Sequence, residues 1–99
     1  MKRIAIRDLA GPFAENKDVA RDVRIRQILP ALENREEVVL DFSGVDAATQ
    51  SFVHALISDL FRKYGPGVLD SISFASCNET VQKIISIVVD YMQEGLGGE

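Results

Sequence analysis

Two hydroxyl-bearing residues, Thr49 and Ser51, stand where an apolar run gives way to a hydrophobic helix, in the stretch VVLDFSGVDAATQSFVHALISDLF that spans residues 38–61. The start of a helix offers unpaired backbone N–H groups and the positive end of the helix dipole, a combination that favours anionic groups. Thr49 is the best candidate for the N-cap. At about 100° per residue, Ser51 projects beside Ser58 and Arg62, away from the apolar stripe, so we expect it to be exposed. Hydroxyl groups at the start of a helix often serve only as caps. The spacing of Thr49 and Ser51 is therefore consistent with a purely structural role as well as with a functional one.

Other residues that could carry chemistry have simpler interpretations. His54, the only histidine, lies at the edge of an apolar stripe, where we expect half-buried packing. Cys77 is the only cysteine and is also expected to pack. The sequence contains no nucleophile elbow, no paired cysteines and no phosphate-cradling G-x-x-x-x-G-K-[ST] motif. It therefore predicts no enzyme, no metal and no cofactor.

The first element that must position this corner is a strand at the N-terminus. In KRIAIRD, Ile4 and Ile6 share one face, and this period of two is typical of a half-buried strand. Gly11 and Pro12 then mark a turn, and Phe13 begins a second short strand.

Residues 16–34 have a helical composition but mixed periodicity. Pro30 interrupts the hydrogen-bond ladder, so either a kinked helix or a helix followed by a separate turn is consistent with the pattern. The segment contains arginines 21, 24 and 26 together with Asp18, Asp22 and Glu33, which indicates a solvated face of mixed charge.

The run EVVLDF predicts a central strand covered on more than one side. After it, residues 51–64 carry a clean helical stripe, with Asp59 and Lys63 spaced for an i, i+4 ion pair and Gly65 as the cap.

The run SISFAS predicts a further strand. A last helix begins near Asn78, for which Ser76 with Glu79 as a capping box and Asn78 itself are rival N-caps. Ile87 and Val89 add apolar character beyond its main stripe, as either core residues or part of a subunit or partner interface.

Strands that alternate with helices predict an α/β fold with largely parallel strand pairing. We expect a small single domain of consecutive β-α units, with a largely parallel, mixed sheet of three to five strands and three to four helices. The domain is expected to span residues 1–94 and a flexible Gly-rich tail residues 95–99.

The composition and charge of the chain argue against several classes of function. The formal net charge of −4 argues against a nucleic-acid partner, which favours a basic face. A single cysteine suits a reducing cytoplasm. No apolar run approaches the roughly 20 residues of a membrane span, and the start lacks the pattern of a signal peptide. We therefore expect a cytoplasmic protein with no membrane segment.

The stretch from Val38 to about Phe61 resembles the core motif of the STAS superfamily, named for sulfate transporters and anti-sigma factor antagonists. In that motif a strand ending in aspartate leads through a short loop to D-S-S-G and an apolar helix. The stretch is still more similar to the STAS-like domain of unknown function, a group of small bacterial proteins whose loop reads more like DFSGV…SF. The resemblance implies a STAS-like α/β fold.

The resemblance also assigns roles within the loop. Asp41 matches the residue that ends the strand, and Thr49 stands at the loop aspartate of the antagonists. Gln50 stands at their phosphoacceptor serine and cannot accept phosphate. Ser51 matches their second serine, and Phe52 replaces their glycine. Regulatory phosphorylation would therefore fall to Ser51 or Thr49, unless the surface binds a partner without phosphate.

These observations predict a non-enzymatic regulatory module similar to the anti-sigma factor antagonists. A protein partner, either a histidine-kinase-like ATPase or a serine kinase, would dock on the loop before the central helix. The loop residues are Asp46, Ala47, Ala48, Thr49, Gln50 and Ser51. The alternative is a sensory domain that binds a nucleotide or another small anion at the same helix N-terminus. A homodimer through the C-terminal helix is a further expectation.

Overall fold

Three parallel strands form the main sheet. The computed structural model describes the backbone of residues 1–97 and the side chains of residues 1–93. The sheet has the order β1-β3-β5, so β3 lies in the centre as predicted. A second sheet pairs the short strands β2 and β4, also in parallel. The strands are β1 (Lys2–Ala5), β2 (Phe13–Ala14), β3 (Val38–Asp41), β4 (Ala47–Ala48) and β5 (Ile72–Ala75).

Helices connect the strands, which confirms the predicted α/β class. They are α1 (Ile6–Ala10), α2 (Lys17–Val23), α3 (Leu29–Glu33), α4 (Gln50–Tyr64) and α5 (Glu79–Gly97). The described residues form five α-helices, more than the three to four predicted, because a short helix, α1, begins directly after β1 and because the helix predicted over residues 16–34 contains two α segments. A 3-10 helix, Pro66–Ser71, leads into β5.

Burial alternates along the strands, so the helices cover one face of the main sheet. On the covered face, directly paired positions of the three strands hold Ile4, Leu40 and Phe74. Ile4 and Leu40 are at most 2% exposed. On the other face, Val39 is half-buried and Ser73 is exposed. The prediction that the central strand is covered on more than one side is wrong, because its neighbours on that second face remain open to solvent.

The helical stretch from α2 to α3 is continuous through a π-helical segment, Arg24–Ile28. The Leu29 amide donates to the Arg24 carbonyl, a span of five residues, one more than in an α-helix. This wider turn precedes Pro30, which has no N–H to contribute. It also lets Val23 and Ile28, five residues apart, both face the core, where they are 3% and 0% exposed. Neither a helix ended by a separate turn nor simple α periodicity describes this stretch.

Two predictions about charged residues are wrong. Arg24 is only 8% exposed, so it does not belong to a solvated face. Its guanidinium donates to the Ala55 carbonyl, and its Nη2 lies 3.1 Å from a carboxylate oxygen of Asp59. Asp59 also pairs with Arg62 at 2.6 Å, whereas Lys63 pairs with Glu33 at 3.2 Å instead of with Asp59. Each residue of the predicted i, i+4 pair therefore has a partner distant in the sequence, Arg24 for Asp59 and Glu33 for Lys63.

The caps around the last two helices follow the sequence closely. Gly65 ends α4 with a φ of +78°, which favours glycine, and its amide donates to the Phe61 carbonyl at 2.7 Å. At the start of α5, Asn78 is the N-cap, since its side-chain oxygen accepts from the Val81 amide at 2.8 Å. Ser76, the rival candidate, has a φ of +58° and precedes the helix by several residues.

The C-terminal helix α5 extends to Gly97. Residues 98 and 99, the end of the predicted tail 95–99, lie outside the described residues, and the domain boundary at residue 94 stays a prediction. Among the described residues, no helix combines the length and apolar character that crossing a membrane requires.

Candidate functional site

The corner after β3 begins with a turn organised by Asp41. One oxygen of its carboxylate accepts from the Ser43 amide at 2.9 Å, and the other accepts from Nε of Arg3 at 3.1 Å. The Ser43 hydrogen bond lowers the pKa of the Asp41 carboxyl below its usual value, and the Arg3 guanidinium lowers it further. Gly44 follows with a φ of +79°, and a Cβ at this position would collide with Cδ of Arg7. The carboxylate therefore shapes the turn and stays ionised.

The segment after the turn is held on both sides. The Asp46 amide donates to the Pro12 carbonyl at 2.7 Å, and the Thr49 amide donates to the Ala14 carbonyl at 3.0 Å, so β4 is fixed against β2. On the opposite side, Nδ2 of Asn78 donates to the Asp46 carbonyl at 2.9 Å. The predicted partner-binding loop is consequently a fixed segment that includes a short strand.

Asn78 joins this segment to the start of α5, and replacing it with alanine removes both functions at once. We expect the substitution to lower the free energy of unfolding by about 1.5 kcal/mol, because the cap of Val81 and the bond to Asp46 are both lost. The matched control is Asn16→Ala, since Asn16 caps only its own helix through the amides of residues 18 and 19. That variant is expected to lose about 1 kcal/mol or less. Urea unfolding followed by circular dichroism measures both values, and an equal or smaller loss for Asn78→Ala would contradict the bridging role.

The first turn of α4 separates the two candidate hydroxyls. Oγ of Thr49, the predicted N-cap, accepts from the Phe52 amide at 3.1 Å and is half-buried. Ser51 is exposed, as predicted, and so is Gln50. Ser58, on the same side of α4, is only 8% exposed, because the helical stretch containing Arg24 covers α4 beyond its first turn.

A groove of about 420 Å³ adjoins this first turn. Its walls come from the start of α2, the start of α4 and the middle of α5. The lining residues are Lys17, Gln50, Ser51, His54, Ala55, Ile87, Val88 and Tyr91. The structure thus brings two of the six predicted loop residues to one surface. Asp46 is exposed elsewhere, Ala47 is half-buried and Ala48 is buried.

The groove combines an apolar wall with a polar rim. Ile87 is 49% exposed and Tyr91 is 68% exposed, whereas Val88 is buried beneath them. Lys17 and Ser51 contribute the polar groups, and both side chains are exposed. Protein interfaces typically have a hydrophobic centre that the partner buries and a polar edge. Partly exposed aliphatic and aromatic side chains become such a centre when a partner covers them.

Two other candidate residues from the sequence are His54 and Cys77. His54 is half-buried, as predicted. Burial raises the pKa of the Cys77 thiol, and the nearby Asp41 carboxylate raises it further, so the reactive thiolate is disfavoured. Across the described part of the chain, no group of three or more His, Cys, Asp and Glu residues is close enough to hold a metal ion.

The family comparison agrees with this architecture. A family model described as "STAS-like domain of unknown function (DUF4325)" matches residues 19–82, well over half of the chain and all of the corner from Asp41 to Ser51. The chain belongs to this family. No curated protein and no solved structure matches the chain significantly. The STAS-like recognition made from the residues of β3 and α4 is therefore confirmed.

Within this STAS-like domain, sequence reasoning missed two residues of the groove. Lys17 directly follows the cap residue Asn16 and reaches the groove from another helix. Tyr91 lies four residues after Ile87, on the same face of α5, and this spacing was the available signal. Their proximity to Ser51 depends on how three helices pack, which local patterns do not specify.

Phe52 differs from the antagonist motif that the sequence resembles, which has glycine at this position. The side chain is 0% exposed. An aromatic ring at this position anchors the first turn of α4 in the core. The position beside Ser51 therefore serves packing in this STAS-like domain.

Proposed function

We propose that this STAS-like domain is a non-enzymatic regulatory module that docks a partner protein on the first turn of α4 and the adjoining groove. The main support is the exposure of Ser51 at the rim of a groove whose wall includes Ile87 and Tyr91. The turn beside the groove is reached through the loop that follows β3, and open α/β sheets usually place their binding surfaces on such loops.

The proposed partner is a histidine-kinase-like ATPase or a serine kinase, by similarity with the anti-sigma factor antagonists. Docking would cover the apolar side chains of α5 and use the polar rim formed by Gln50, Ser51 and Lys17. Such a partner would contact the fixed segment near Asp46 at its periphery.

Phosphate on Ser51 is the proposed regulatory signal, and Thr49 is the second acceptor. A phosphate adds about −1.5 to −2 charges, which a helix N-terminus tolerates or favours. Lys17, on the same groove, adds a positive charge. Phosphorylation would therefore leave the fold intact and change the surface that the partner meets. Since the Thr49 hydroxyl already caps α4, phosphate there would disturb the helix start.

A photo-crosslinking residue identifies the partner in the native cell. Placed at position 51, it is expected to capture an ATPase or kinase of this type. Placed at Ser73, which is exposed on the open face of the sheet, it is expected not to capture that protein. Equal capture at both positions, or at neither, would contradict docking at the α4 start.

Ser51→Asp tests the effect of charge once the partner is purified. We expect the dissociation constant to rise at least about tenfold, because a fixed negative charge enters the interface. The melting temperature is expected to change by less than about 3 °C, since an acidic residue in the first turn of a helix is mildly stabilising. Calorimetry measures binding, with Ser51→Ala and Ser73→Asp as controls that retain affinity. Unaltered binding by Ser51→Asp would remove Ser51 from the proposal.

The second candidate function is a sensor for a nucleotide or another small anion. The specific observation in its favour is that Lys17 faces the same groove as the α4 N-terminus, and that the groove volume of about 420 Å³ suits a small ligand. Native mass spectrometry of the purified protein distinguishes the two functions. A nucleotide that stays bound, without a protein partner, supports the sensor. If calorimetry detects no binding of ATP at millimolar concentration, a nucleotide sensor is contradicted.

A further inference from the structure

The outward face of α5 carries an apolar stripe separate from its core stripe. Ile84, Ile87 and Tyr91 follow a spacing of three and four residues and therefore lie along one side of the helix. Ile84 is half-buried, and the other two are 49% and 68% exposed. The core stripe consists of Val81, Ile85, Val88 and Met92, all less than 9% exposed. The outer stripe is thus available to a second surface.

Two opposite charges flank this outer stripe. Lys83 and Asp90 are both exposed and stand seven residues apart, so they lie on the same side of the stripe, two turns from each other. Neither takes part in an ion pair among the described residues. They stand at equal distances on either side of the midpoint between residues 86 and 87.

We propose that α5 pairs with α5 of a second copy of this chain, in antiparallel orientation about a twofold axis. In an antiparallel helix pair, one flank of the apolar seam faces the same flank of the other helix across the twofold axis. Two positions seven residues apart on that flank can therefore face each other between the two copies. Lys83 then meets the partner's Asp90, and Asp90 meets the partner's Lys83. In the seam between them, Ile84 packs against the partner's Ile87, and Tyr91 packs against the partner's Thr80.

The charge pattern selects this occupant and this orientation. In a parallel pair, Lys83 and Asp90 would instead face the opposite flank of the partner's helix, where Val81 and Val88 are buried in the domain's own core and offer no charge. The antiparallel pair gives both residues an oppositely charged neighbour, which is the self-complementarity that a twofold interface requires. About three helical turns form the contact, at the low end of interface sizes, so the dimer is expected to dissociate on dilution.

The dimer and the proposed docking site share a wall. Ile87 and Tyr91 also line the groove beside Ser51. Self-association would therefore compete with a protein partner that covers this wall. The dimer itself depends only on α5, and its test uses the purified chain alone, so its outcome is separate from whether any ATPase or kinase docks.

Sedimentation equilibrium of the full chain, combined with charge exchange, tests the dimer. We expect a dissociation constant of about 1 to 100 µM for the native chain. Lys83→Asp and Asp90→Lys, each alone, are expected to raise it at least about tenfold, because each creates two like-charge contacts. The double variant reverses both pairs and is expected to return within about threefold of the native value. Arg21→Asp, which makes the same change in net charge as Lys83→Asp but at an exposed position of α2, is the control for that variant and is expected to leave the value unchanged.

Ile87→Glu is expected to abolish the dimer at every accessible concentration, because it places two carboxylates in the seam. Circular dichroism verifies that each variant is folded. If Ile87→Glu unfolds, the charge-exchange variants still test the dimer. A chain that stays monomeric up to about 1 mM would overturn the proposal. So would a dimer that the single charge changes do not weaken, or one that the double exchange does not restore.

Discussion

Replacing Phe52 with alanine is expected to lower the free energy of unfolding by about 3 to 5 kcal/mol. Phe52 is 0% exposed and occupies the first turn of α4, so the substitution opens a cavity beneath the candidate site. In a domain of this size the loss corresponds to a fall in melting temperature of about 12 °C or more. Differential scanning calorimetry measures the fall, and urea unfolding gives the free energy.

Phe13→Ala is the matched control for this effect. The Phe13 side chain is 54% exposed, so its truncation is expected to cost less than about 1 kcal/mol. A loss at Phe52 no larger than the loss at Phe13 would show that the ring does not anchor α4. The large expected difference gives a physical reason for an aromatic residue where the antagonists have glycine.

Replacing Arg24 with alanine is expected to lower the free energy of unfolding by about 2 to 4 kcal/mol. The side chain is 10% exposed, and it links the π-helical segment to α4 through the Ala55 carbonyl and the Asp59 carboxylate. Its loss removes these bonds and leaves a void between two packed helices. Urea unfolding monitored by circular dichroism is again the measurement.

Arg26→Ala is the control, because Arg26 pairs with Asp22 at 2.8 Å but has a side chain that is 76% exposed. Exposed pairs contribute little, so we expect a loss of less than about 1 kcal/mol. Arg24→Met separates packing from charge, since it keeps the volume of the side chain and removes the guanidinium. We expect this variant to stay within about 1 kcal/mol of the native protein. A methionine variant as unstable as the alanine variant would show that the ionic contacts dominate.

Sequence reasoning succeeded where a structure depends on neighbours along the chain. The stripe of α4, its cap at Thr49 and its stop at Gly65 are local patterns, and all three are confirmed. The strand β3 is likewise confirmed, because a run of β-branched residues bounded by polar ones specifies its own extent.

The same reasoning failed where distant segments compete. Arg24 and Arg26 have similar neighbours in sequence, and only the approach of α4, through Ala55 thirty-one residues away, buries one of them. The alternation of Ile4 and Ile6 predicts a strand through residue 6, but α1 begins at Ile6, although both side chains are buried as the alternation requires. Period-two spacing over so few residues does not distinguish the two structures.

The sequence predicts the part of the candidate site that depends on one helix, but not the part that depends on how distant segments pack. The exposure of Ser51 follows from its position on one helix, so spacing was sufficient. The groove beside it joins residues 17, 51 and 91, and their proximity is a property of the tertiary fold. No pattern within one helix contains that information.

The π-helical segment between Val23 and Leu29 has a consequence for comparing this domain with its relatives. A π turn holds one residue more than an α turn at nearly the same helix length. A relative with an uninterrupted α-helix here would need one amino acid fewer to bring the same side chains into register. Alignments of the family are therefore expected to place a single-residue gap within 24–28, and relatives without the gap are expected to keep a proline at position 30.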